Sequence, residues 1–583
     1  MSRFALLALP LLLNFVVFPA LAQPLASRIS PNDTSLTIAQ SNSPSPSPPD
    51  IIQPNPEPLP SIEPLPPLED ILPEPKNPPP KIPVNIPGEI VISQFKILGN
   101  TVFEAEELQE LLAPFTQRPL SFAELLQSAE TLTKYYQQAG YITSGAFIPE
   151  QAIQNGTIAI QAVEGEVEEI NIQGLNRLDP SYIRRRLVLA SQPPLNRDRL
   201  LNSLQLLQLD PLIANLAVNL SAGSRPGSSI LDVEATEADA TTFTVTFDNQ
   251  RSPSVGTVRR MARFTHNNFL GFGDRFSVGY INTDGSHTLD NLNYTLPINA
   301  SNGTVAFSHS HSQNNIIEDP FTLLDISSRA PSYQLTYRQP LQQTVGEEIA
   351  VGLTASWQNS RSFIGLDNIG AFPLATGASN DGRTTVFALR FFQEYSRRTN
   401  TDVFALRSQF SVGLGLLDAT INSTPPDGRF FSWRLQAQYL RLLAPDTILL
   451  LRSDLQLADR SLLAFEQFAI GGLATVRGFR QDFRSSDNGF FGSVELRIPI
   501  LRVREWDMLV QVAPFLDVGT VWSSDNTAID SPGTLSSVGV GLHLGLGDRL
   551  TGRLDWGIPL VERNSTTNTV QEQGVYFSLE YQI

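Results

Sequence analysis

Across residues 239–583 the chain repeats one pattern: apolar side chains alternate one for one with polar or charged ones. Phe243, Val245 and Phe247 interleave with Thr242, Thr244 and Thr246, and Trp433, Leu435, Ala437 and Tyr439 with Arg434, Gln436 and Gln438. Further on, Val494, Leu496 and Ile498 flank Glu495 and Arg497, while Leu550, Leu554, Trp556 and Ile558 accompany Arg553 and Asp555. A period of two sends alternate side chains to opposite faces of a strand, so one face of many strands meets water and the other something apolar. A transmembrane β-barrel satisfies both, because closure pairs every backbone amide and turns polar side chains into the lumen. A secreted β-sandwich also alternates, but with apolar faces inward and shorter strands. The export signal and aromatic-rich strand ends favour the membrane.

Spacing gives the strand number. Short turns are expected at Leu270–Asp274, Pro297–Gly303, Gln339–Gly346, Ala444–Asp446 and Leu546–Asp548, and longer connections at Asp367–Arg383 and Ile421–Arg429. Short turns at one end and long loops at the other are the asymmetry of outer-membrane barrels. Strands of about 9 to 11 residues fit sixteen antiparallel strands into this region, and fourteen or eighteen also satisfy the arithmetic.

The N-terminus reads as an export signal. Met1–Arg3 is basic, Phe4–Phe18 is nearly all apolar, and Ala20-Leu21-Ala22 offers a cleavage site, giving a signal peptide over 1–22. The run is shorter than the roughly 20 residues of a spanning helix, and no later stretch reaches that length. Residues 23–42 lack helical periodicity, so no plug helix is expected there. From Pro44 to Gly88, 18 residues are proline; a segment this short of donors forms neither helix nor ladder, so 43–88 is a linker.

Residues 89–164 and 165–238 read as two similar units. In the first, Phe95, Ile97 and Gly99-Asn100 lead into a helix carrying Leu108, Leu111, Leu112 and Phe115 at helical spacing. A second helix opens with the capping box Ser121-x-x-Glu124, carries Phe122, Leu125, Leu126, Ala129 and Tyr136, and stops at Gly140. Strands are expected at Ile142–Ile148 and Thr157–Val163. The same order restarts at Ile170-x-Ile172-x-Gly174, with helices over Tyr182–Leu189 and Arg197–Leu207. This repeat resembles tandem POTRA domains, the modules that precede certain outer-membrane barrels. A sheet edge beside a helix suits an extended chain, and Leu125, Ile142, Ala146 and Ile148 are the candidate groove.

Two motifs narrow the family. Val476-Arg477-Gly478-Phe479 sits in a Gly-rich loop, and Phe515-x-Asp517-x-Gly519 lies on a strand. By period two, Asp517 faces the lumen if Leu516 and Val518 face lipid. An unpaired carboxylate there is costly, and a guanidinium satisfies both of its oxygens with a forked hydrogen bond, so Arg477 is its expected partner. Gly478 lets the loop approach the wall and Phe479 wedges it. Together these motifs resemble the transporters of two-partner secretion, the haemolysin-activator and filamentous-haemagglutinin exporter type. The resemblance implies an outer-membrane pore with periplasmic POTRA domains, export of an unfolded secreted partner of β-helical class without ATP, and contact with outer-membrane lipid. The alternating segment Gly574–Ile583 resembles the signal read by the barrel-assembly machinery, with Ile583 in place of the commoner terminal Phe.

Other classes fit less well. With no cysteine, thiol catalysis, thiolate metal sites and iron–sulfur clusters are excluded. A formal charge of -17 disfavours nucleic acid. The five histidines form no catalytic or metal motif; His309 and His311 share a strand face and are expected to line the lumen, so no catalytic residue, metal or cofactor is expected. A barrel-assembly or protein-import relative and a passive porin stand as the alternatives.

Overall fold

The computed structural model describes residues 90–151, 156–525, 533–562 and 569–583. The signal peptide, the 23–42 segment with its expected lack of a plug helix, and the proline-rich linker lie outside the described residues.

The first α/β unit runs β1 (Gln94–Leu98), α1 (Ala105–Leu112), α2 (Phe122–Gln138), β2 (Gly145–Phe147) and β3 (Thr157–Val163). The sheet order is β1-β3-β2, with β1 parallel and β2 antiparallel to the central β3, so β2 is an edge. The Ser121 hydroxyl accepts from the Glu124 amide while the Glu124 carboxylate accepts from the Ser121 amide, closing the capping box that starts α2. Ile158, Ile160 and Ala162 of β3 turn inward onto Leu108, Leu112, Leu132 and Tyr136. Two expectations shift. The first helix stops at Leu112 and Phe115 ends a separate 3-10 turn, because Pro114 cannot continue an α-helical ladder. Ile142 lies in a turn, and the strand expected from it spans only Gly145–Phe147.

The second unit repeats the order with β4 (Glu166–Gln173), α3 (Ser181–Ala190), α4 (Arg197–Gln208), β5 (Ile213–Ala222) and β6 (Ser228–Glu237), and its sheet order is β4-β6-β5. One glycine in each unit marks the repeat. Gly99 (φ 79°) and Gly174 (φ 86°) would each drive a Cβ to 2.5 Å from a backbone carbonyl of the central strand, Ala162 and Ala235. The second unit sits on two short barrel turns: the Asp179 amide donates to Gly271 O (2.8 Å), Arg177 Nη2 to Phe269 O (2.7 Å) and Arg186 Nε to Asn302 Oδ1 (2.8 Å).

Sixteen long antiparallel strands, β7 (Thr241–Asp248) through β22 (Val575–Gln582), form a closed barrel. β22 pairs with β7 from Ser578↔Asp248 to Gln582↔Thr244, so no edge is left. Short turns occupy the end that carries the α/β units, and long connections such as 365–382, 415–430 and 459–487 the other. The turn expected at Gln339–Gly346 shrinks to 344–346, since the preceding strand Ile326–Gln343 runs on. Outward side chains are apolar and exposed, as at Leu516 (49%) and Val518 (40%), while Asp517 between them is 0% exposed. His309 is a correction. It pairs with Tyr333, stacks on that ring at 4.5 Å, and shares the outward face with Phe307 and Leu335, so it does not line the lumen.

Candidate functional site

The connection 459–487 does not stay at the rim but folds back into the barrel. Phe468–Ile470 pairs with Arg484–Ser486 to make a short hairpin stem, and the segment between them carries the Val476–Phe479 motif. Gly471 (φ 110°) and Gly472 (φ 98°) turn the chain at the top of the stem with a backbone that side chains rarely adopt. Val476 and Phe479, both 0% exposed, pack with Phe468 and Ile470 of the stem and with Phe491, Val521 and Leu535 of the wall.

Arg477 is itself 0% exposed. Its wall partners come from β18 (Asn488–Val503), β19 (Met508–Trp522) and β21 (Leu550–Pro559). Nε donates to Asp517 Oδ2 at 2.7 Å and Nη2 to Oδ1 at 2.8 Å, a forked pair, while the Arg477 amide also donates to Oδ2 at 3.1 Å. Nη1 reaches Glu495 Oε2 at 2.6 Å and Asp555 Oδ1 at 3.2 Å. Three carboxylates around one guanidinium would repel one another, and two wall arginines offset them. Arg497 Nε donates to Glu495 (2.9 Å), and Arg553 donates to Glu495 (3.3 Å) and Asp555 (2.5 Å). Ser493 Oγ donates to Asp517 at 2.6 Å. Buried charge survives only where partners and hydrogen bonds replace water, and here they do.

Phe515, Asp517 and Gly519 share the inward face of β19, and each has a role against the hairpin. The Arg477 guanidinium lies 3.3 Å over the centre of the Phe515 ring. At Gly519 an added Cβ would come within 2.8 Å of Val476 Cγ2. Gly478 (φ 96°) passes so close to the wall that a Cβ added at Gly557 would lie 2.5 Å from its nitrogen. Tyr576, on β22, is the clasp: its hydroxyl accepts from the Gly478 amide (2.9 Å) and donates to Phe479 O (2.5 Å).

Val476, Arg477, Gly478, Phe479, Phe515, Asp517 and Gly519 therefore meet in one place, and Glu495, Asp555, Arg553 and Tyr576 join them. All four stood in the alternating segments, as inward positions of period two; what the sequence lacks is the strand register that brings them to one depth. Of the groove residues, Leu125 is 4% exposed and belongs to the core, which removes it from any surface. Ala146 and Ile148 pack on that core, Ile142 occupies the turn, and the exposed apolar side chains beside them are Leu126 (40%) and Phe147 (49%).

Glu495, His543 and Asp555 bring potential ligand atoms within 4.8 Å of one another. The carboxylates already bind the guanidiniums of Arg477, Arg497 and Arg553, so the positive charge a cation would bring is already present. The chemistry of the site is mechanical: a charged, desolvated clamp that fixes a hairpin inside a pore.

Residues 227–544 match the family described as haemolysin secretion/activation protein ShlB/FhaC/HecB, and residues 90–165 match the POTRA domain, ShlB-type. The chain is 24% identical over 491 residues to the outer membrane transporter CdiB of Escherichia coli, covering 81% of this chain and 79% of that protein. It is 23% identical over 434 residues to the heme/hemopexin transporter protein HuxB of Haemophilus influenzae, covering 70% and 72%. The solved structure of CdiB from Escherichia coli superposes with a TM-score of 0.66 at 20% identity, over 86% of this chain and 92% of that one. BamA from Haemophilus ducreyi lacking POTRA domains 1-3 shares the fold with a TM-score of 0.51 at 15% identity, over 85% and 100%. A family match across more than half of the sequence, joined to a closed sixteen-stranded barrel behind a POTRA domain, places the chain: it belongs to the haemolysin secretion/activation protein family ShlB/FhaC/HecB, the outer-membrane transporters of two-partner secretion.

Proposed function

We propose that this chain moves one secreted partner polypeptide, of β-helical class, from the periplasm to the cell surface, and that the Arg477 clamp gates the pathway. The observation that carries the reading is the hairpin tip inside the lumen, clamped by Arg477 to Asp517, Glu495 and Asp555. A barrel that passes only small solutes has no use for such a device, whereas a polypeptide conduit must close between substrates. In this reading residues 165–238 are a second POTRA domain, both POTRA domains lie in the periplasm, the outward apolar belt contacts outer-membrane lipid, and Gly574–Ile583 is read by the barrel-assembly machinery. Residues 1–22, 23–42, 43–88, 89–164, 165–238 and 239–583 are the working divisions of the chain.

The partner arrives extended. β2 is an edge strand of the first sheet whose middle residue, Ala146, donates its amide to the Thr133 hydroxyl of α2 (2.8 Å). Phe147 on the strand and Leu126 on α2 expose apolar side chains, which supports capture by strand addition in exchange for the Thr133 contact, beside Ala146 and Ile148. Release of the tip then opens the lumen, and folding outside prevents return. No step requires bond chemistry, consistent with relatives that carry transporter names.

Removing residues 90–237 tests the reading. Loss of one secreted protein from the medium, with the barrel still inserted, is the expected result. Unchanged secretion with intact conductance would point to a porin, and general loss of other barrels to an assembly role.

A further inference from the structure

The hairpin is fixed to the wall by cations near its tip, Arg477 and then Arg480 on Glu318 and Glu572, and by an ion pair of opposite polarity at its base. At the tip, the loop supplies the cation. At the base it supplies the anion: Glu466, 6% exposed, accepts Arg390 Nη2 at 2.6 Å and Nη1 at 2.9 Å. Arg390 belongs to the strand Arg383–Arg398, and the adjoining strands hold its guanidinium through Ser356 Oγ (3.2 Å) and Ser411 Oγ (3.1 Å). Around this pair Leu462, Leu463 and Phe465 of the loop pack on Val386, Ala388 and Phe430. Gln456 Nε2 also donates to Glu466 O (2.7 Å) and to Asp487 O (3.1 Å), tying the two ends of the connection together.

The two anchorages share no residue. Each combines ion pairs with apolar packing, Val476 and Phe479 on Phe491, Val521 and Leu535 at the tip and Leu462, Leu463 and Phe465 on Val386, Ala388 and Phe430 at the base. Only the base, however, lies where the connection leaves and rejoins the wall and is tied to both of its ends by Gln456. Between tip and base stand Gly471 and Gly472, whose backbone geometry few residues tolerate.

We propose that Glu466 and Arg390 are the fixed anchor of the hairpin, positioning residues for export: the tip leaves its acids by turning at Gly471-Gly472 while the base stays pinned to the wall. The inference rests on the gating reading above and adds which part moves and which does not.

The chain has no cysteine, so paired thiols can be introduced cleanly. In one variant, Arg390→Cys with Glu466→Cys, the unbridged protein loses export because its anchor is gone, and bridging with a bis-methanethiosulfonate linker restores it. In a second, Arg452→Cys with Ala474→Cys, bridging stops export and reduction restores it, because Arg452 Nη1 lies 3.2 Å from the tip carbonyl of Ala474. Heat-modifiable migration on gels confirms that each barrel is folded. If the 390–466 pair does not fold, the charge exchange Arg390→Glu with Glu466→Arg replaces it, and export lost in each single variant must return in the exchange. Unchanged export in the unbridged 390–466 protein, a block on bridging it, or no rescue by the exchange overturns the proposal. Free export with the 452–474 bridge closed removes the gating reading, and the fixed anchor with it.

Discussion

The α/β units and the barrel use the same alternation of apolar and polar side chains, turned inside out. In β3, Ile158, Ile160 and Ala162 are buried, and the side chains between them are partly open to water. In β19, Leu516 and Val518 are exposed, and Phe515, Asp517 and Val521 are hidden. The first arrangement is held by removing apolar surface from water. In the barrel that force acts against lipid, so the interior is free to be polar, provided each charge finds a partner. A single deep cation such as Arg477 would ruin the core of either unit, yet it organises the core of the barrel. The difference teaches that identical sequence periods state where side chains point but not which solvent lies there.

Four substitutions break or sharpen this comparison. The largest effect is expected for Arg477→Ala, which leaves Glu495, Asp517 and Asp555 facing a cavity; breaking a buried pair costs about 3–5 kcal/mol. Tip release should raise bilayer conductance and lower export, with heat-modifiable migration retained. Next is Leu132→Ala, 0% exposed in the first unit, at about 2–5 kcal/mol. Limited proteolysis should then cut the α/β region while the barrel resists, whereas Leu516→Ala on the lipid face should alter neither, because lipid re-covers the site. Tyr576→Phe removes the two hydrogen bonds of the clasp to Gly478 and Phe479, about 0.5–1.5 kcal/mol each, read as a partial rise in conductance.

The smallest effect depends on pH. The hydroxyls of Ser224 and Ser228 and the Ser224 amide hold the exposed Glu168 carboxyl at about 2, against its ordinary 4.5. Its support of the turn between β5 and β6 is complete above the ordinary value and fades as pH falls from 4.5 toward 2. Amide exchange at Ser224 and Ser228 should quicken across that window, and Glu168→Gln should remove the dependence.

Much of this was legible in the sequence, and the gaps have physical causes. Period two showed that Asp517 faces away from Leu516 and Val518, and the need to neutralise it pointed to Arg477. The same period marked Glu495 and Asp555 as inward, but their meeting depends on pairings such as Ser493↔Asp517 and Gly541↔Asp555, which no local pattern encodes. Tyr576 read as part of a closing strand because its hydroxyl contacts are made with a loop 97 and 98 positions away. Leu125 failed as a groove residue for a related reason: helical spacing selects the buried stripe, and a docking surface needs the residues just off it, as Leu126 is. Period two puts His309 and His311 on one strand face without saying which side of the wall that face lies on, and the pairing of His309 with Tyr333 turns it outward.

The most direct measurement is a double-mutant cycle on Arg477→Ala and Asp517→Ala, with export and single-channel conductance followed in each variant. Asp517→Ala should cost less than Arg477→Ala, since Glu495 and Asp555 still hold the guanidinium, and the double variant should be little worse than Arg477→Ala alone. Losses that simply add would show that the two side chains act apart, and would contradict the clamp.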